Sequence, residues 1–270
     1  MTVEQALLRR PVAVVVAHPD DETIGAGGIL PRLDGIMIHI TDGAPRHPAA
    51  VRDAGFRTPA HYAAARWREL IAAMKLAGLA PSRLCPLHVA DQEASLEMAY
   101  LTLKLVHLFR EFHPAVILTH SYEGGHPDHD AAAFAVHAAC ARVPAPPEVY
   151  EFASYHAAAQ TIAAGGGQPS SRIETGRFLP GTDPGEVIVL DEHARRRKQA
   201  MFDCFTTQSA MLANFAIDEE RFRPAPAYDF SAAPHAGTLY YENFSWGVTG
   251  ERWRFLAAEA LRTLGAASIL

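Results

Sequence analysis

Two shortages narrow the reading of this chain: it has few cysteines and no long apolar run. Cys85, Cys140 and Cys204 are odd in number and far apart, with no C-x-x-C pair. That excludes a disulfide framework and a thiolate zinc finger, and predicts three buried free thiols. The longest clean apolar run, Val12 to Ala17, falls well short of the roughly 20 residues that cross a bilayer, so no membrane span is expected. Near the N-terminus the charges of Arg9 and Arg10 follow the short apolar patch Leu7-Leu8, the reverse of a secretory signal peptide, and the expected location is cytoplasmic. An excess of positive charge is also missing. There are 24 Lys and Arg against 30 Asp and Glu, a net charge of −6. The one dense basic run, Arg195-Arg196-Arg197-Lys198, reads as a solvated helix face, and no nucleic-acid partner is expected.

Histidine, in contrast, is plentiful, with 14 residues in 270. The remaining composition, 49% hydrophobic and 20% charged, is that of a globular domain large enough to hold a rigid site by core packing alone. Pro11 to Ala17 is a β-branched run suited to a strand buried on both faces. A helical stretch from about Thr23 to Arg32 and a strand from Gly35 to Ile40, closed by a turn at Thr41-Asp42-Gly43, complete a β-α-β unit. Helices are predicted over Ala60 to Leu79 and Ser95 to Phe112, the latter with a stripe of Leu96, Leu101, Leu105 and Leu108, and strands over Leu84 to Val89 and Ala115 to Thr119. This alternation predicts an α/β fold, a mostly parallel sheet with helices on both faces. From about residue 143 the pattern is less regular. Val187 to Leu190 reads as a strand, Asp191 to Phe205 and Glu251 to Thr263 as helices, and Ala163 to Pro169 and Pro224 to Pro234 as loops. No repeat or linker interrupts the chain, so a single domain over 1–270 is expected.

In an open α/β sheet the ligand site lies beyond the carboxyl ends of the strands, and two polar clusters fall there. His18-Pro19-Asp20-Asp21-Glu22 follows the first strand, and His126-Pro127-Asp128-His129-Asp130 follows the Ala115 to Thr119 strand. His18 and Asp21, three apart at a helix entry, can aim at one point. A further ligand, His126 or His129, would complete a three-ligand set with a position open for water, as in catalytic zinc. Asp20 is then a candidate base, whichever histidine does not bind metal a candidate donor, and Asp128 the group that orients it. Glu22 reads as an acid complementing the helix dipole. Two histidines and one carboxylate also form the facial triad of non-haem iron oxygenases, but the strand and helix pattern disfavours that scaffold.

The strings Ala17-His18-Pro19-Asp20-Asp21-Glu22 and, about a hundred residues on, Gly125-His126-Pro127-Asp128-His129 resemble the PIG-L/LmbE-like deacetylase family, most strongly over Val12 to Ala141. The resemblance implies a Rossmann-like fold and zinc-dependent hydrolysis of an N-acyl group, typically the acetamide of an N-acetylglucosamine-type sugar. It implies one zinc per chain on His18, Asp21 and His129, Asp20 as general base, His126 as oxyanion donor or leaving-group acid, and Asp128 behind it. The expected partner is a small N-acylated amino sugar or conjugate; an amidase acting on a glucosamine-thiol conjugate, or a sugar-binding protein without activity, are the alternatives. Oligomers are common for such folds, although nothing in the sequence identifies an interface.

Arg66 lies where similar proteins often carry an arginine reaching the sugar, and Asp91 follows a strand end; both are candidate substrate contacts. Tyr122 and Glu123 are candidates to shape the mouth, and His120 to support the site. Lys198-Gln199-Ala200 and Cys204 to Gln208 resemble a helix and turn of the family. The aromatic stretch Tyr240 to Trp246 fits either a core strand or a sugar-pocket wall.

Overall fold

The computed structural model describes residues 2–8, 11–158 and 172–267. Its organising element is β1 (Val12–Val16), five residues buried on both faces. Neighbouring side chains of a strand point to opposite faces, and β1 divides accordingly. Val12, Val14 and Val16 pack into one hydrophobic core, Ala13 and Val15 into another. β1 pairs in parallel with β2 (Gly35–Pro45) and β4 (Val116–His120). Beyond them lie β3 (Leu84–Asp91) and β5 (Glu148–Phe152), also parallel. β9 (Glu219–Pro224) joins β5 antiparallel and β8 (Glu186–Val189) forms the edge, giving the order β3-β2-β1-β4-β5-β9-β8. A two-stranded antiparallel sheet, β6 (Tyr155–Ala157) with β7 (Ile173–Thr175), stands apart.

Helices cover both faces. On the first lie α1 (Val3–Leu8), α2 (Asp21–Ala26), α4 (Pro59–Leu76) and α7 (Glu192–Phe202), and on the second α5 (Met98–Phe112), α6 (Pro127–Cys140) and α9 (Gly250–Ala267). The short helices α3 (Pro48–Asp53) and α8 (Ser209–Leu212) complete the set. The strand order reverses between β1 and β4, so the loops leaving these two strands diverge to opposite faces and open a crevice between them. Both His/Asp motifs lie there, His18 at the entry to α2 and His126 at the entry to α6. The α/β architecture expected from the sequence is thus the one observed.

Several details differ from expectation for identifiable reasons. The Thr23 to Arg32 helix is shorter, α2 ending at Ala26 with a 3-10 turn at Leu30–Arg32. Thr41-Asp42-Gly43 is no terminal turn: β2 runs on to Pro45 through register irregularities against β3, with Gly43 at φ 66. Leu96 is 50% exposed, and the buried stripe of α5 is Met98, Leu101, Leu105, Val106 and Phe109. Of the cysteines only Cys140 is buried; Cys85 and Cys204 are partly exposed, and all three are free. Pro224 to Pro234 is irregular after its first residue, as expected, and Ala163 to Pro169 lies outside the described residues. No helix among the described residues is long and apolar enough to cross a membrane.

The basic run departs most. Lys198 is 1% exposed. Its Nζ donates to the Ile24 carbonyl at 2.9 Å and to Glu220 Oε1 at 2.8 Å, and the same carboxylate accepts the Gly28 N–H at 2.6 Å. The pair thus ties α7 and β9 to the far end of α2, the helix whose first turn carries Asp21. Lys198→Ala would strand a buried carboxylate, and an expected loss of about 3–5 kcal/mol should show in urea denaturation, with Lys198→Met/Glu220→Leu more stable than the single variant. His137, near the end of α6, packs edge-on against Tyr228 and Phe230, and burial pushes its imidazole down to about 4. The unfolded chain takes up that proton near pH 6.5 and the folded one does not, so this contribution is intact above that pH and falls toward pH 4. Between pH 7 and 5 the wild-type protein should lose about 2 kcal/mol more stability than His137→Leu.

Candidate metal and catalytic site

The turn between β1 and α2 is closed by the carboxylate of Asp21, which accepts the His18 N–H at 2.7 Å. Its two oxygens also face three imidazoles. His18 Nδ1 is at 3.1 Å, His129 Nε2 at 3.3 Å and His120 Nε2 at 3.3 Å. His18 Nδ1 and His129 Nε2 are themselves 3.3 Å apart. His18 Nδ1 and His129 Nε2 are thus at the roughly 3.3–3.4 Å that separates two ligands of a tetrahedral centre with bonds near 2.0–2.1 Å, and the Asp21 carboxylate lies against both, Oδ2 beside His18 and Oδ1 beside His129. Nitrogen, nitrogen and carboxylate oxygen are also donors that zinc accepts. The residues present therefore fit a zinc ion. Burial alone would raise the pKa of Asp21, but His129, His120 and His18 outweigh it and hold the carboxyl well below its usual range.

His18 is fixed from its other side. Nε2 meets Asp91 Oδ1 at 3.1 Å and Asp128 Oδ2 at 3.4 Å. A proton on Nε2 shared with these carboxylates leaves the Nδ1 lone pair toward Asp21 and His129, the arrangement by which a carboxylate orients a metal-binding imidazole. Asp91, expected at the substrate, thus lines the cavity but spends its carboxylate on His18. His120 accepts the Ala17 N–H at 3.1 Å and stacks on His129 with ring centroids 3.9 Å apart. Burial and then His129 push its imidazole down to about 3.

The second motif opens α6. His126 is the N-cap, its Nδ1 accepting the Asp128 N–H at 3.2 Å, and Pro127 at the first helical position has no N–H to leave unpaired. A neutral imidazole that accepts at Nδ1 carries its proton on Nε2. Burial, followed by the charge of His18, holds the His126 pKa well below its usual value. The expected support of His126 by the Asp128 side chain is absent: its carboxylate stands 3.9 Å from His126 Nδ1, too far to hydrogen-bond. Both Asp128 oxygens are instead taken by the loop after β3, Oδ2 by the Gln92 N–H at 2.6 Å and Oδ1 by the Ala94 N–H at 3.0 Å. Gln92 adopts φ 71, strained for a residue with a side chain, and its N–H ends on this buried anion. Gly125 lets the loop approach Tyr155, whose carbonyl oxygen would lie 2.0 Å from an added Cβ.

Asp20 and Asp21, adjacent in sequence, have different surroundings. Asp20 Oδ2 accepts from Arg66 Nη2 at 2.8 Å, while Arg66 Nη1 donates to the Gly43 carbonyl at 2.8 Å. Burial raises the Asp20 carboxyl to about 6 against the opposing pull of Arg66. Arg66, expected to reach a substrate, also borders the cavity but points these two N–H groups at the protein. Glu22 is no solvated helix-end acid, being fully buried against His39 Nε2 at 3.1 Å. Tyr122 and Glu123 do not shape a mouth either. Tyr122 is buried with its hydroxyl donating to Ala232 O, and Glu123 is buried accepting from Ser121 and the Leu179 N–H.

These groups face a cavity of about 440 Å³ bordered by His18, Asp20, Asp21, Arg66, Asp91, His126 and His129, with Tyr155, Gln208, Met211, Asn214, Tyr240, Phe244 and Trp246 opposite. Within the Tyr240 to Trp246 stretch, Tyr240, Phe244 and Trp246 line the cavity, whereas Tyr241 packs into the hydrophobic core. Gln92 and Tyr155 were not anticipated. Gln92 gives no signal beyond its place after Asp91, and Tyr155 follows a strand that the sequence pattern did not reveal.

Among curated proteins none matches the chain. Solved structures of similar fold include the zinc-inhibited form of teicoplanin deacetylase Orf2 (14% identity, TM-score 0.57, 76% of this chain and 88% of that one). The A40926 pseudoaglycone deacetylase Dbv21 is similar at 19% identity and TM-score 0.57, over 82% of this chain and 100% of that one. An inhibitor complex of N,N'-diacetylchitobiose deacetylase from Pyrococcus horikoshii follows at 15% identity and TM-score 0.52, over 83% and 89%. At these identities the likeness is one of fold. The family model for PIG-L, GlcNAc-PI de-N-acetylase, matches residues 13–140, the segment that holds both His/Asp motifs, and over that segment the chain is similar to the PIG-L/LmbE-like deacetylases.

Proposed function

We propose that the protein is a zinc-dependent N-deacetylase acting on an N-acetylglucosamine-type sugar or its conjugate, with His18, Asp21 and His129 holding the metal. The observation that carries this reading is the approach of His18 Nδ1 to His129 Nε2 at 3.3 Å with the Asp21 carboxylate against both, Oδ2 at 3.1 Å and Oδ1 at 3.3 Å, and with Asp20 and His126 on the same cavity. The family match over residues 13–140 and the deacetylases of the same fold support it. Zinc, when bound, polarises an amide carbonyl and lowers the pKa of water toward about 7.

The protein's own groups supply the rest. Arg66 holds Oδ2 of Asp20, which leaves Oδ1 to take the proton of the attacking water. A carboxyl raised to about 6 is a better proton acceptor than an ordinary one and can return the proton to the departing amine. His126, with Nδ1 committed to the Asp128 N–H, presents Nε2–H to the negative charge that develops on the amide oxygen. It performs this task as a neutral imidazole. Asp91 fixes the ring of His18, and Asp128 pins the loop after β3 against the same ring.

The test is acetate release from N-acetylglucosamine glycosides by metal-stripped protein with and without added zinc. Release should depend on zinc; one zinc per chain with no release from any acetamido sugar would overturn the reading. Asp20→Asn should lower turnover by about 10²–10⁴-fold while metal analysis still finds one zinc per chain, whereas His18→Ala should lose both. Asp91→Asn should weaken zinc binding by about 10–100-fold in a chelator competition, because it loosens the imidazole without removing a ligand.

A further inference from the structure

An unbroken series of rings runs around the cavity from one catalytic-site histidine to the other. His126 meets Trp246 at 4.8 Å between centroids, and Trp246 stacks on Phe244 at 4.5 Å and 14°. Phe244 meets Tyr240 at 5.3 Å, Tyr240 meets Tyr155 at 5.9 Å, and Tyr155 meets His129 at 5.1 Å. Phe244 remains 38% exposed and Trp246 partly so. Two stacked rings left open to a cavity are an apolar surface that a ligand can cover.

The charges on the same cavity point the same way. Among its described lining residues Asp20, Asp21 and Asp91 face one guanidinium, Arg66, which already donates to Asp20 and the Gly43 carbonyl. Away from a bound metal, a phosphate on the substrate would therefore find a single guanidinium in this lining, already paired with Asp20, and would face the carboxylates of Asp20 and Asp91. The volume of about 440 Å³ is in the range that accepts a drug-sized ligand. The stacked pair also lies outside residues 13–140, the span of the family match, so it does not follow from the motif that sets the chemistry.

We propose that Trp246 and Phe244 bind an uncharged, hydrophobic aglycone carried by the acetamido sugar, which makes the substrate an apolar glycoside and not a sugar phosphate. The inference rests on the deacetylase reading for its choice of sugar. With the amide carbon beside His126, the neighbouring Trp246 ring is positioned to cover the substituent next to the reacting sugar.

The experiment compares the methyl and phenyl β-glycosides of N-acetylglucosamine with N-acetylglucosamine 1-phosphate, in zinc-loaded protein, by acetate release and by calorimetric binding. The phenyl glycoside should exceed the methyl glycoside by about tenfold in kcat/KM and in affinity, and the 1-phosphate should fall at or below the methyl glycoside. Trp246→Ala, and separately Phe244→Ala, should draw the phenyl-to-methyl ratio toward one, and Trp246→Phe should recover part of it. Equal values for the two glycosides in wild-type protein, or a preference for the 1-phosphate, would overturn the inference while leaving deacetylation intact. Absence of acetate release throughout would instead count against the deacetylase reading, and the calorimetric ratio would then decide the aglycone site by the same criteria.

Discussion

A nearly buried carboxylate gathers positive or hydrogen-bonding groups around it, and the core of this site is organised around one. Asp21 is 2% exposed and accepts the His18 N–H, and three imidazoles converge on its oxygens from separate points of the chain: His18 from the end of β1, His120 from the end of β4 and His129 from the first turn of α6. Only a sheet whose order reverses between β1 and β4 brings these points together. The constraint extends outward, because each imidazole needs a partner for its other face or nitrogen. His18 therefore recruits Asp91, and Asp128, beside it, secures the loop after β3 through two backbone N–H groups. Fixing one buried anion thus fixes four segments of backbone.

Two adjacent carboxylates acquire opposite tendencies from this arrangement. Asp21 faces imidazoles and is held ionised, whereas Asp20 faces one guanidinium, and burial keeps its carboxyl near 6. Separating the acidities of neighbouring carboxyl groups by their surroundings is how a site obtains a fixed anion and a proton carrier from the same residue type. The entry to α2 makes this possible, since the N-cap and the first helical residue project differently. Arg66 reaches Asp20 from α4, and its other N–H on the Gly43 carbonyl ties that helix to the irregular end of β2.

Much of this was legible in the sequence, for physical reasons that also explain what was not. A strand buried on both faces must be apolar throughout, so β1 and β4 stand out, and the His/Asp motifs are recognisable because they follow such strands at once. Asp91 was visible as a strand-end acid, but its task depends on the rotamer of a histidine 73 residues away. The support of His126 was misjudged because sequence adjacency to Asp128 suggests a side-chain contact, where the helix N-cap supplies a backbone one. Lys198 looked solvated because three arginines precede it; α7 turns that one position inward to Glu220, on a strand, β9, whose charged residues Glu219, Glu220, Arg221 and Arg223 obscure it. An antiparallel strand such as β9, paired with β5 and β8, gives little signal of this kind, since what buries its polar residues is the opposing element and not an alternating pattern.

The two halves of the chain therefore make different contributions to one cavity. The proposed metal ligands, Asp20 with its arginine, and His126 all lie within residues 13–140 and are held by parallel strands and the helices that follow them. The opposite wall comes from Tyr155, from Gln208, Met211 and Asn214, and from Tyr240, Phe244 and Trp246, carried on short elements and 3-10 turns. Chemistry demands donor atoms placed to within a few tenths of an ångström, which strand ends in a packed sheet provide; recognition of an apolar substituent demands area, which a looser wall of rings can supply. The buried Lys198–Glu220 pair joins the two, anchoring α2 of the first part to α7 and β9 of the second. A change in the outer wall can then alter what fits while the proposed metal site of His18, Asp21 and His129, held at the end of β1 and the first turns of α2 and α6, stays in place.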